Sequence, residues 1–114
     1  MNDEVKKEVK RLRTKVYAEL DWEENQGLIE RAAYLRIMLQ EIEKDLEENG
    51  RVDMFQQSEK LPGYERERPA VNQYSKLSSN YLNTLRQLDT KLQKLQVADV
   101  QEVDDGFDNF VERR

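Results

Sequence analysis

Two stretches of this chain repeat apolar residues at alternating steps of three and four, and that spacing admits little but packed α-helices. Leu28, Ala32, Leu35, Leu39, Ile42 and Leu46 follow at steps of 4, 3, 4, 3 and 4, and Ile29, Ala33 and Met38 widen their stripe. Val71, Tyr74, Leu77, Tyr81, Leu85, Leu88, Leu92 and Leu95 follow at 3, 3, 4, 4, 3, 4 and 3. Residues three and four apart share one face of a helix, whereas a half-buried strand would alternate every second residue. Neither stripe can hide itself, so the two must pack together or against copies of the chain.

A third seam lies nearer the N-terminus. Val5, Val9, Leu12, Val16 and Leu20 stand at steps of 4, 3, 4 and 4, which predicts a helix over 4–20. At Asp21 the pattern D-x-x-E supplies a helix-start signal: the Asp21 side chain can accept from the amide three residues on while Glu24 reaches back. Gly27 weakens this second helix by up to about 1 kcal/mol relative to Ala, so Asn25-Gln26-Gly27 is an alternative boundary. Asn49-Gly50 offers a C-cap that tolerates the left-handed conformation, giving a helix over 22–49. Residues 50–68 break the periodicity and form a connector, either structured or flexible, with a turn at Leu61-Pro62-Gly63-Tyr64. Pro69 suits the first position of a third helix, which the seam carries over 69–96. The expected architecture is all-α: a three-helix antiparallel bundle, or a helical hairpin plus a third helix, oligomeric, in one domain over 1–96. An acidic, flexible tail over 97–114 follows.

Composition narrows the chemistry. Among 114 residues there is no cysteine and no histidine, which removes thiolate metal sites, disulfides and the commonest general base. Charged residues reach 38% and hydrophobic ones 37%, a balance that suits long exposed helices. Four glycines and two prolines leave no phosphate-cradling glycine loop. Glu23, Glu24, Glu30, Glu41, Glu43, Asp45, Glu47 and Glu48 fall where an exposed helix face would put them and read as a solvated surface. No catalytic residue, cofactor or metal ligand is therefore expected. No apolar run approaches the roughly 18 residues needed to span a bilayer, and Met1-Asn2-Asp3-Glu4 lacks the plan of a signal peptide, so a cytoplasmic location away from membranes is expected.

With a net charge of −5, any affinity for nucleic acid must come from where the charges lie. The first helix concentrates Lys6, Lys7, Lys10, Arg11, Arg13 and Lys15, candidates for phosphate contacts on double-stranded DNA. The competing reading is a solvated face, since Glu4, Glu8 and Glu19 are interleaved. In the connector, Arg66 and Arg68 alternate with Glu65 and Glu67; their forks can hold a phosphate or a neighbouring carboxylate, including acids of the second helix. In the tail, Phe107, Phe110 and Val111 interrupt an acidic run and are candidates for docking on a partner, or for folding back on the seam.

The run GYERERPAVNQYSKLSSNYLNTLRQL, with Arg68, Pro69, Ala70, Val71, Tyr74, Tyr81, Leu85 and Leu88, resembles a segment of the small terminase subunit of tailed phages and prophages of Gram-positive bacteria. GLIERAAYLRIMLQEIEKDLEENG is similar to the helix and Gly-terminated turn that precede it there, so the resemblance spans Gly27 to Leu95. It implies a protein without a catalytic centre that recognises viral DNA and recruits the large ATPase and nuclease subunit, in the host cytoplasm. The other class of function left open is a helical adaptor or regulator that binds a protein and not DNA.

Overall fold

A computed structural model describes the backbone of residues 2–111 and the side chains of residues 2–98. It is a long helical hairpin with a shorter N-terminal helix laid against its open end. Helix α1 spans Asp3–Arg11, continues as a π-helical turn over Leu12–Val16, and is followed by α2 (Trp22–Asn49), β1 (Val52–Phe55), β2 (Tyr64–Glu67) and α3 (Pro69–Val111). The longest dimension is 85 Å, and the radius of gyration of 22.5 Å far exceeds the roughly 13 Å of a compact domain of this length. The expected helical hairpin plus a further helix is the observed fold.

Helix α1 starts one residue earlier than the apolar pattern indicated, because the Asn2 side chain accepts from the Val5 amide at 2.8 Å. Its first turn holds Asp3 and Glu4 and its last Lys10 and Arg11, which suits the helix dipole at both ends. The helix does not reach Leu20. Its final turn widens, with the Tyr17 amide donating to the Leu12 carbonyl at 2.8 Å, and Tyr17 leaves helical geometry at φ −117° and ψ 35°. One extra residue in that turn rotates the seam. Tyr17 takes the buried position that a regular helix would have given Val16, and Val16 is turned to solvent.

Helix α2 begins at Trp22, not at the alternative Asn25-Gln26-Gly27 boundary. Asp21 caps it by accepting from the Glu24 amide at 2.9 Å. The reciprocal arm of a capping box is replaced: Glu24 reaches instead toward Lys91 of α3, 3.5 Å away. At the far end Gly50 has φ 79° and ψ −177°, a positive-φ extended conformation confined to glycine, rather than the left-handed cap expected at Asn49-Gly50. Its amide still donates to the Leu46 carbonyl at 2.9 Å.

The connector is an antiparallel β-hairpin. Val52, Asp53, Met54 and Phe55 pair with Glu67, Arg66, Glu65 and Tyr64, and the Arg68 amide donates to the Arg51 carbonyl at 2.8 Å to close its base. Pro69 opens α3 as its missing amide hydrogen allows. The backbone is helical past Gln96 to Val111, through Gly106, beyond the point to which the apolar seam carries the helix. Residues 112–114 lie outside the described part.

The core sits where α1 covers the hairpin. Val5, Leu12, Tyr17 and Leu20 meet Ile29, Ala32, Ala33 and Ile37 of α2 and Leu88 of α3, with Val9, Trp22, Tyr81, Leu85 and Leu92 at the margin. Ala32 and Ala33 are fully buried and let the helices approach closely. Burying each large aliphatic side chain here contributes about 1.5–3 kcal/mol before entropy is counted. Toward the β-hairpin the two long helices have only each other, and Ile42, Leu46, Val71, Tyr74 and Leu77 are only half-buried.

Candidate functional site

The N-terminal helix turns its apolar seam inward, and this decides what it shows to solvent. Lys6, Lys7, Lys10, Arg11, Arg13 and Lys15 are all exposed. Two of the six are engaged locally. Arg11 forms a two-point contact with Glu8, at 2.8 Å from Nε and 2.6 Å from Nη2, and this hydrogen bonding raises its pKa above the ordinary guanidinium value. Arg13 lies over the indole of Trp22, 4.1 Å from the ring centre. No ion pair holds Lys6, Lys7, Lys10 or Lys15 among the described residues. Lys6 and Lys10 stand one turn apart on an exposed side of α1, and Arg13 follows in the widened turn beyond its end.

The connector arginines are used differently. Arg68 makes a bidentate pair with Asp45, Nη2 donating to Oδ1 at 3.0 Å and to Oδ2 at 2.8 Å, while Nη1 donates to the Gly50 carbonyl at 2.9 Å. Arg66 stacks over Phe55 at 4.1 Å and lies 3.4 Å from Asp53. Of the two local pairings open to these arginines, the one with an acid of the second helix holds for Arg68. Pairing with Glu65 or Glu67 is not observed, because those carboxylates stand on the opposite face of the hairpin from Arg66. Asp53 is a partner to which the alternation of acid and arginine did not point; its place directly across from Arg66 follows from the strand register.

Asp45 sits below the ordinary carboxylate range because Asn49 donates to it, with Arg68 the next cause. On the groove beside it, lined by Glu43, Leu46, Glu47, Arg51, Val71 and Tyr74, the Tyr74 hydroxyl donates to Glu43 at 2.7 Å, and that bond raises the Tyr74 pKa. No group of three or more metal-ligating side chains gathers among the described residues. No helix among them is long and apolar enough to cross a membrane. The candidate docking residues Phe107, Phe110 and Val111 belong to the helical backbone, but their side chains lie outside the described residues.

Comparison with protein-family profiles, with characterised proteins and with solved structures gives no match to this chain.

Proposed function

We propose that this chain is a non-enzymatic, self-associating DNA-packaging protein of the small-terminase-subunit type, which binds double-stranded DNA along the outer side of α1 and recruits the large ATPase and nuclease subunit. The observation that carries this reading is the exposure of Lys6, Lys7, Lys10 and Lys15 without ion-pair partners among the described residues, on a helix where Glu8 is already occupied by Arg11. Long flexible ammonium groups on a rigid helix can each neutralise one phosphate, which makes binding strongly salt-dependent and tolerant of sequence. Arg66 and Arg68 play no part in it, since both are committed to Asp53, Phe55 and Asp45.

The test is a salt titration of duplex affinity. Replacing Lys6, Lys7, Lys10 and Lys15 with Gln should flatten the dependence by about 0.9 in logarithmic slope for each phosphate that is no longer neutralised. Unchanged affinity and slope would remove α1 from the DNA surface. A second reading, an adaptor that binds protein and not DNA, is favoured by the Arg68–Asp45 pair. Folding alone then accounts for Arg68, the arginine that precedes Pro69-Ala70-Val71. Absence of duplex binding at low salt decides for it.

A further inference from the structure

The β-hairpin stands clear of the helices: Arg68 anchors its base, and the two strands pack on each other far more than on α2 or α3. All four residues of β2 are exposed. The register shows which backbone groups lie open at its edge. The Arg68 amide donates to the Arg51 carbonyl, and these two residues stand opposite each other in the register that pairs Val52 with Glu67. Bonded and non-bonded pairs alternate along an antiparallel ladder. Asp53 with Arg66 and Phe55 with Tyr64 therefore exchange the ladder bonds, and the amides and carbonyls of Glu65 and Glu67 point outward from the sheet. Among the described residues no backbone bond outside the ladder takes them up. The side chains of Glu65 and Glu67 share one face with Val52 and Met54. Neither carboxylate has an ion pair among the described residues, since Arg66 lies against Asp53 and Arg68 against Asp45.

We infer that the free edge of β2 receives an extended segment of another protein as a third, antiparallel strand, one that alternates lysine or arginine with apolar residues. A lone two-stranded hairpin is marginal in water, and an open edge is a template for a further strand. Charge complementarity selects the occupant. In antiparallel addition the residues opposite Glu65 and Glu67 project on the carboxylates' own face, where a cation pairs with each. The residues between them fall on the face of Tyr64, which is 51% exposed and takes the apolar ones. Main-chain bonds then supply affinity and the two cations choose the partner. A second copy of the chain does not fit. Only Glu65 and Glu67 have outward groups on β2, so antiparallel pairing with another β2 sets glutamate against glutamate, and pairing with another β1 sets both against Val52 and Met54. The inference stands or falls without the DNA reading, because α1 takes no part in it.

The probe is a labelled peptide of about eight residues, enough to span one strand, that alternates lysine with valine. It is titrated with the full chain at low salt, and binding is read by anisotropy and by amide exchange. The peptide should bind and should slow exchange at the amides of Glu65 and Glu67, which are fast in the free chain. A peptide alternating glutamate with valine should not bind. Methylating the lysine amide nitrogens, which face β2 in this register, should abolish binding, whereas methylating the valine amides, which face away, should spare it. Glu65→Lys with Glu67→Lys should weaken binding roughly tenfold or more. Where those changes disturb the hairpin, the methylated peptides still test the unaltered chain. The inference is overturned if the lysine peptide does not bind, or if its binding survives methylation of the lysine amides, which would mean that charge alone holds it. Protection of Glu65 and Glu67 that grows with the concentration of the chain alone would place a second copy on the edge and overturn it as well.

Discussion

Arg68 grips both carboxylate oxygens of Asp45, 23 residues earlier in the chain, and with a third donor holds the carbonyl of Gly50. One guanidinium therefore ties the last turns of α2 to the residue just before α3 and fixes the angle at which the β-hairpin leaves the helices. The planar fork makes this possible, and an ammonium could not reproduce it.

Arg68→Lys should accordingly lower the thermal midpoint and raise amide exchange across Val52–Glu67, while α1 and the core around Leu88 keep their protection. Asp45 adds a pH dependence. Its folded pKa is depressed, so its contribution is present above the unfolded carboxylate value of about 4 and is lost as pH falls through the folded value. Asp45→Asn should reduce stability at neutral pH and flatten the acid limb of a midpoint-against-pH curve. An acid limb as steep as that of the unaltered chain would assign it to other carboxylates.

The same chemical change should have opposite signs at two glycines of α2 and its cap. Gly27 is exposed inside the helix, and an added methyl would meet nothing within 4 Å, so Gly27→Ala should stabilise by about 0.5–1 kcal/mol. Gly50 also has open space around it, but its φ of 79° with ψ of −177° is closed to L side chains. Gly50→Ala should cost about 1–3 kcal/mol. Denaturant midpoints for the two variants decide both signs.

How much of this fold is legible in the sequence follows from which signals are local. The seams of α2 and α3, the Asp21 cap and Pro69 at the start of α3 can be read because each depends on residues a turn apart. The β-hairpin cannot, since its strands are four residues each and are held by pairing across an eight-residue loop and by Arg66 over Phe55. The partner of Arg68 is open among several acids, and only the antiparallel return of α3 brings Asp45 to it. The exposure of the basic stripe follows directly from the apolar seam of α1. The end of that helix does not, because a widened turn leaves no mark in residue spacing.

Tyr17 should report on the union of α1 with α3. Its ring is buried at 3% exposure, and its hydroxyl donates to Asp89 at 2.7 Å. Burial first, and then that bond, raises its pKa above the ordinary tyrosine value. With the folded pKa raised, the stabilising contribution is complete below the unfolded value of about 10 and is lost as pH rises from there toward the folded value. Tyr17→Phe should cost about 1 kcal/mol at neutral pH. It should also lose stability less steeply above pH of about 10. An alkaline limb equal to that of the unaltered chain would show that Tyr17 does not carry it.

The widened turn at the end of α1 supplies the sharpest contrast. By spacing alone Leu12 and Val16 are equivalent members of one seam, and truncating either should open a hole in the same core. The extra residue between Leu12 and Tyr17 makes them unlike: Leu12 is 2% exposed and Val16 41%. Leu12→Ala empties part of the cluster that holds Ala33 and Leu88 and should cost about 2–5 kcal/mol, the usual range for a buried leucine whose surroundings cannot collapse. Val16→Ala removes methyls that already touch water and replaces a β-branched residue by a better helix former, so its cost should stay within about 0.5 kcal/mol. For a chain of this size each kcal/mol shifts the thermal midpoint by roughly 4 °C or more, so the two variants separate readily in a single melting series. Equal losses at the two positions would mean that the turn is a regular one and that Val16, not Tyr17, faces the core.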